Sequence, residues 1–212
     1  MSETPRTTVP PGTGPAPTTT APPGAAPAAD PDPTLWCPPG TTLTGAARVE
    51  TDDPATARRR LPGVYADPVA WLLAEAVAAA LADCGSAAPD RPEEVGVIGV
   101  GAHPTARTLG ALAAAVPTGR ISPMRFAGAG PGSPLGTLCA AFGFHGPVSM
   151  LPMPPDQAAP PVRALCGDWL LGDPPSAAHV LVVTHRTTDE GKHQAHCLVV
   201  SGPTPTRRPR RT

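Results

Sequence analysis

An α/β layered sheet with helices on both faces is the fold this sequence predicts, and three observations carry it. Strand-like runs and helix-like runs alternate along the middle of the chain. Two of the helical runs open on a short polar residue followed by proline, the signature of a capped helix start. The apolar runs between helices are short and valine-rich, as in strands covered on both faces.

Taken in order, residues 41–50 (TTLTGAARVE) are a first strand candidate. Asp67-Pro68 opens a helix whose apolar positions Val69, Leu72, Leu73, Ala76, Val77, Ala80, Leu81 and Cys84 form one stripe, with Gly85 as its stop. Residues 95–101 (VGVIGVG) read as a buried strand, and a second helix runs from about Pro104 to Val116. Ser133-Pro134 repeats the cap-then-proline pattern, followed by Leu135, Leu138, Cys139 and Phe142 at helical spacing; Gly146-Pro147 ends that helix and residues 148–151 form a third strand. A proline-rich turn (152–155) precedes a helix ending at Leu171, which contains Pro160 and Pro161 and therefore starts late. Residues 179–184 (HVLVVT) and 196–201 (HCLVVS) are the last two strands, joined by a polar loop over 186–192.

The flanks differ in composition. Of 212 residues, 33 are proline and 22 glycine, and residues 1–40 are mostly Pro, Thr, Ala and Gly. Such a tract reads as a disordered, polyproline-like tail. The ordered domain is expected over 41–203, with a basic tail over 204–212 (TPTRRPRRT). The formal net charge of -1 removes the electrostatic case for a nucleic-acid binder. The most apolar stretch, 69–81, is too short for a membrane span and contains Glu75. The first thirty residues hold no apolar core of a secretory signal. Five cysteines without a CxxC pair suggest reduced, buried thiols and a cytoplasmic protein.

Candidate chemistry is sparse. Gly96, Gly99 and Gly101 lie within and just after a strand rather than in a nucleotide-binding turn, and read as close-packing positions. His185, His193, His196 and Cys197 are the one metal-like group, but His196 and Cys197 are adjacent on a strand and face opposite ways. They are therefore expected to be surface and loop residues, with no metal and no cofactor. Cys139 and Cys166 fall on apolar helix stripes, where thiols are usually inert. Arg58, Arg59 and Arg60 read as a solvated loop, and no GxSxG elbow is present.

The segment ISPMRFAGAGPGSPLGTLCAAFGFHGPVSML, with DPVAWLLAEAVAAALADCG and VGVIGVGAHPTARTL upstream, resembles the N-terminal half of β-ketoacyl synthases. The similarity is nearest to divergent type II polyketide and aryl-polyene ketosynthases or chain-length-factor-like proteins. It implies half of a thiolase-like fold, with a five-stranded mixed sheet. In that family the strand after Gly-Pro leads to an elbow that presents a nucleophilic cysteine at a helix N-terminus; counting from Gly146-Pro147, that position falls on Pro155. The chain also ends before the half that carries the family's catalytic histidines. The resemblance therefore implies a non-catalytic, accessory or chain-length-factor-like protein of bacterial polyketide or fatty-acid-type secondary metabolism. Its expected partners are a ketosynthase subunit, an acyl carrier protein and further copies of itself, with no nucleic acid and no membrane. The alternatives are half of a split synthase completed in trans, with Cys166 as a substitute nucleophile, and a degenerate remnant without activity.

Overall fold

The computed structural model describes residues 32–57, 66–85 and 89–203. Strand β1 (Thr42–Thr51) is followed by helix α1 (Val69–Asp83), strand β2 (Val95–Val100), and helices α2 (Ala106–Ala115), α3 (Pro123–Gly128) and α4 (Ser133–Phe142). Strand β3 (Val148–Leu151), helix α5 (Ala159–Leu171), and strands β4 (His179–Thr187) and β5 (His193–Ser201) complete the order. The five strands form one sheet in the order β1-β5-β4-β2-β3. β2 pairs in parallel with β3 and β4, whereas β5 pairs antiparallel with β4 and β1, so β5 runs against the other four.

Alternation along the strands assigns side chains to two cores. Val95, Val97, Leu181, Val183, Ala195, Cys197 and Val199 project toward α1 and α4. Their neighbours Ile98, Val100, Val180, Val182, Leu198 and Val200 project to the other face, under α5. Every residue of β2 is buried, as a valine-rich run without polar alternation requires. The glycines within β2 set the distance of its covering helices. A Cβ on Gly96 would meet Trp169 of α5 at 3.0 Å, and one on Gly99 would meet the Leu135 side chain of α4 at 2.7 Å. This is the close-packing role expected of them.

Helix boundaries follow local chemistry. Asp67 Oδ1 accepts from Val69 N at 3.1 Å and caps α1 as predicted. Pro160 and Pro161 lie in the first turn of α5, where a missing N–H leaves no helical bond broken. Ser133 departs from expectation: it is the first residue of α4, and its hydroxyl donates to Gly128 O instead of capping. The same Ser-Pro signature at Ser122-Pro123, not read as a helix start, does begin one: Ser122 Oγ accepts from Arg125 N.

Two boundaries are corrected. The expected tail over 1–40 overlaps ordered structure, because residues Pro33–Trp36 form a 3₁₀ turn capped by Asp32. Trp36, only 1% exposed, packs into the core beneath α5. One bulky aromatic is enough to anchor a segment whose average composition argues for disorder. Residues 1–31 and 204–212, the rest of the two expected tails, lie outside the described residues, as do Arg58, Arg59 and Arg60. The last hairpin is also longer than expected. β4 includes Arg186 and Thr187 and β5 begins at His193, which reduces the loop to 188–192, closed by Thr188 N donating to Lys192 O at 2.8 Å. Polar residues there continue the ladder because backbone pairing, not hydrophobicity, carries a strand past the edge of the core.

Trp36→Ala is expected to destabilise the protein by about 3–5 kcal/mol, the usual cost of removing a buried aromatic. Urea unfolding followed by far-UV circular dichroism measures it; a loss below about 1 kcal/mol would mean that Trp36 is not part of the core.

Candidate functional site

The sheet topology creates one crevice. The connection from β2 to β3 runs through α2, α3 and α4, with α4 against one face, while the connection from β3 to β4 runs through α5 on the other. β2 and β3 are parallel neighbours, so the segments leaving their C-terminal ends diverge to opposite sides. Ligands bind in such a gap in open α/β sheets. Here it is a cleft of about 580 Å³, walled by Val69, Ala102, Ala106, Pro54 and the Pro154-Pro155 turn. Its polar lining is His103, Arg107, His185, Arg186, Thr187 and His193, with Asp67 at its base.

Asp67 is fully buried and ties two helices together. While Oδ1 accepts from Val69 N of α1, Oδ2 accepts from Thr108 N in the first turn of α2 at 2.9 Å. Each helix N-terminus offers unpaired N–H groups and a positive dipole end, and one carboxylate serves both. At the rim, Arg107 pairs with Asp53, whose own carboxylate also accepts from Ala55 N at 2.9 Å. These two contacts, the Ala55 bond first, hold the Asp53 carboxyl below its ordinary range. Arg186 Nε donates to Gln194 Oε1 at 2.8 Å, and Gln194 Nε2 donates to Glu50 Oε2 at 2.7 Å, which fixes the Arg186 side chain at the mouth of the hairpin.

His185 and His193 occupy the same face of neighbouring strands, diagonally opposed in register. His185 Nε2 lies 3.1 Å from His193 Nδ1, with ring centroids 5.3 Å apart and planes within 18°. The centroid separation is about the N···N distance plus a ring radius on each side, so the rings meet edge to edge in one N–H···N bond. Burial, then the neighbouring His193, pushes the His185 pKa down to about 4, with Asp67 opposing weakly. His185 is thus a neutral partner at neutral pH.

The expected placement of the histidines is corrected on this point: His185, only 7% exposed, is a buried wall of the cleft, because β4 extends beyond its apolar run. His196 faces away from this cleft, on the side opposite Cys197, as the strand period demands. No group of three or more metal-ligating side chains is present among the described residues. Pro155 starts a 3₁₀ turn separated from β3 by residues 152–154 and, with Pro154, lines the cleft. Cys166 is in the middle of α5, fully buried, its thiol pushed up to about 12 by desolvation and then by Cys37. Burial also raises the thiol pKa of Cys139, half-buried on α4. Sequence reasoning missed His103, Arg107 and Arg186 as lining residues, and recognised Asp67 only as a cap. The one sequence signal for them was their position just after strands or at helix starts.

No protein-family model matches the sequence, and none of the curated proteins is similar to it. Solved structures do match in fold. A type II polyketide ketosynthase, in a complex with its acyl-carrier protein and bound to a hexaketide, superposes with a TM-score of 0.53 at 13% identity, covering 76% of this chain and 62% of that one. The ketosynthase–chain length factor complex from Xenorhabdus doucetiae gives 0.52 at 13%, covering 78% of this chain and 80% of that one. A β-ketoacyl synthase from Burkholderia phymatum gives 0.55 at 11%, covering 77% and 59%. The fold is thus ketosynthase-like and of the thiolase type, as the sequence implies. The chain spans about three fifths of the first and third of these structures.

Two outcomes follow from the geometry. Asp67→Ala leaves two helix N-termini uncapped and is expected to cost about 2–4 kcal/mol, read by chemical denaturation. The depressed His185 pKa means that the unfolded chain binds a proton below about pH 6.5 that the native state refuses down to about pH 4. Stability from this group is therefore complete above pH 6.5 and falls by about 3 kcal/mol as the pH drops through that window. Unfolding titrations of the protein and of His185→Phe should differ by this slope; parallel curves would show that His185 is not held neutral.

Proposed function

We propose that this ketosynthase-like chain is a non-catalytic partner subunit, acting in the manner of a chain length factor with a complete ketosynthase and an acyl carrier protein in bacterial polyketide or fatty-acid-type biosynthesis. The observation that carries the reading is the Pro154-Pro155 turn at the cleft, where the resemblance calls for a cysteine. Proline supplies neither a nucleophile nor the N–H that such a residue would lend to an oxyanion hole. Among the described residues, neither cysteine nor serine lines the cleft. A role for Cys166 as substitute is at odds with its complete burial and raised pKa, since the thiolate is the reacting species.

A partner is supported by an uncovered apolar surface. α2 buries only Leu112 of its ten residues. Leu109, Val116, Ile121, Met124 and Phe126, on α2, α3 and the turn between them, are each 45–69% exposed. Contiguous apolar exposure of this kind marks protein contact sites. Arg107, Arg120 and Arg125 border it, and the sequence from Val95 to Pro155 holds no Asp or Glu. The face suits a partner surface with apolar and acidic groups. Two of the similar structures are complexes, one with an acyl-carrier protein and one with a chain length factor, which is the kind of assembly proposed.

Incubation with acyl- and malonyl-carrier proteins should leave the intact mass of this chain unchanged; a covalent acyl adduct or a condensed product would overturn the reading. Co-expression with a complete ketosynthase of the same host should yield a hetero-oligomer by light scattering. Phe126→Asp is expected to weaken that association about tenfold or more, as loss of an aromatic anchor does.

A further inference from the structure

The segment ahead of β1 is a strap held by few contacts. Among residues 32–40, only Trp36 and Pro38 are buried and Cys37 is half-buried; the others are exposed. Trp36 fills the core beneath α5, yet its indole Nε1 has no hydrogen-bond partner among the described residues. A buried donor without an acceptor offsets part of what burial of the ring contributes. The rest of the hold on α5 comes from Cys37 and Pro38, so the strap is an element that opens locally at low cost.

Cys37 closes the 3₁₀ turn, its Sγ donating to Pro33 O at 3.7 Å, and packs against the cluster that contains Cys166 of α5. Cα atoms of this turn and of α5 come within 8 Å of each other, and disulfides join Cα atoms up to about 7 Å apart. The two thiols also sense each other, since Cys37 adds to burial in holding the Cys166 thiol up. Cys84 and Cys197 are likewise neighbours in the α1 core, but both are buried, and no accessible thiol is there to begin an exchange.

We propose that Cys37 and Cys166 form a redox-responsive latch, in which a disulfide between them ties the strap to α5. The oxidant is a low-molecular-weight disulfide. Cys37, the accessible member, loses its proton and attacks one sulfur of the oxidant, forming a mixed disulfide and releasing one thiol. Cys166 then loses its proton and attacks the Cys37 sulfur, forming the Cys37–Cys166 bond and expelling the second thiol. Two protein thiols are oxidised, one small disulfide is reduced, and the two protons leave on the two released thiols. Burial of Cys166 makes the second step slow, because the thiolate is the reacting species, and it shields the finished bond from reductants.

Incubation of the full chain with oxidised glutathione at about pH 8, followed by intact mass, peptide mapping and thermal unfolding, tests this. The protein should lose about 2 Da, a peptide joining Cys37 to Cys166 should appear, and the unfolding midpoint should rise by about 5 °C or more, because a cross-link over a long loop restricts the unfolded chain. Dithiothreitol should reverse all three changes. Cys166→Ala should stop at a glutathione adduct on Cys37, and Cys37→Ser should leave Cys166 reduced and the midpoint unshifted. A glutathione adduct that persists on the unmutated chain, a link through Cys84, Cys139 or Cys197 instead, an unchanged midpoint, or no reaction at all would each overturn the latch. Should Cys166→Ala fail to fold, the Cys37→Ser comparison and the peptide map decide it.

Discussion

The molecule is organised by a sheet that is apolar on both faces. β2 offers water no residue at all, and β4 and β5 are buried along nearly their whole apolar runs. Burying such strands is favourable by about 25 cal/mol for each Å² of apolar surface, but only if both faces are covered. One chain must therefore lay α1 and α4 on one side and α5, with Trp36, on the other. The connections that do so leave β2 and β3 toward opposite faces, and the cleft is the gap they cannot close. Its position is a consequence of covering the sheet rather than a separate feature.

Asp67 shows how the chain manages the polar groups that this arrangement brings inside. A buried carboxylate is costly unless its charge is compensated. Here the compensation is two helix starts, α1 and α2, which would otherwise leave N–H groups unsatisfied at the same spot. The result is electrostatic as well as structural. The base of the cleft holds a carboxyl group whose two oxygens are both taken up by backbone N–H groups. Two helices of different origin in the chain are locked to each other at the point where a ligand would sit, and the histidine pair on the facing strands completes the wall.

Legibility in the sequence varied with the range of the interactions involved. Strand and helix positions were readable because they rest on period and on local caps: the stripe from Val69 to Ala80 and the all-buried run of β2 were both predicted from spacing. The readings that failed depended on distant partners. Trp36 is embedded in a proline-rich tract, and only α5 makes it part of the core. Ser133 has the residue type of a cap, yet the carbonyl of Gly128 takes its hydroxyl. His185 follows an apolar run in a stretch that reads as the start of a loop, and pairing with β5 draws it inside.

By itself, the sequence determined the alternation of elements and their likeness to a ketosynthase half-fold. Both are carried by residues close together in the chain, through dihedral restriction, capping and periodicity. Tertiary structure alone decided which strands are neighbours, and with that the site. His185 meets His193, Asp67 reaches Thr108, and Pro155 borders the same space as Arg107 only because the sheet order places β4 between β2 and β5. Strand order is set by which apolar faces the crossing helices can cover together, a property of the whole packed core that no local window of sequence contains.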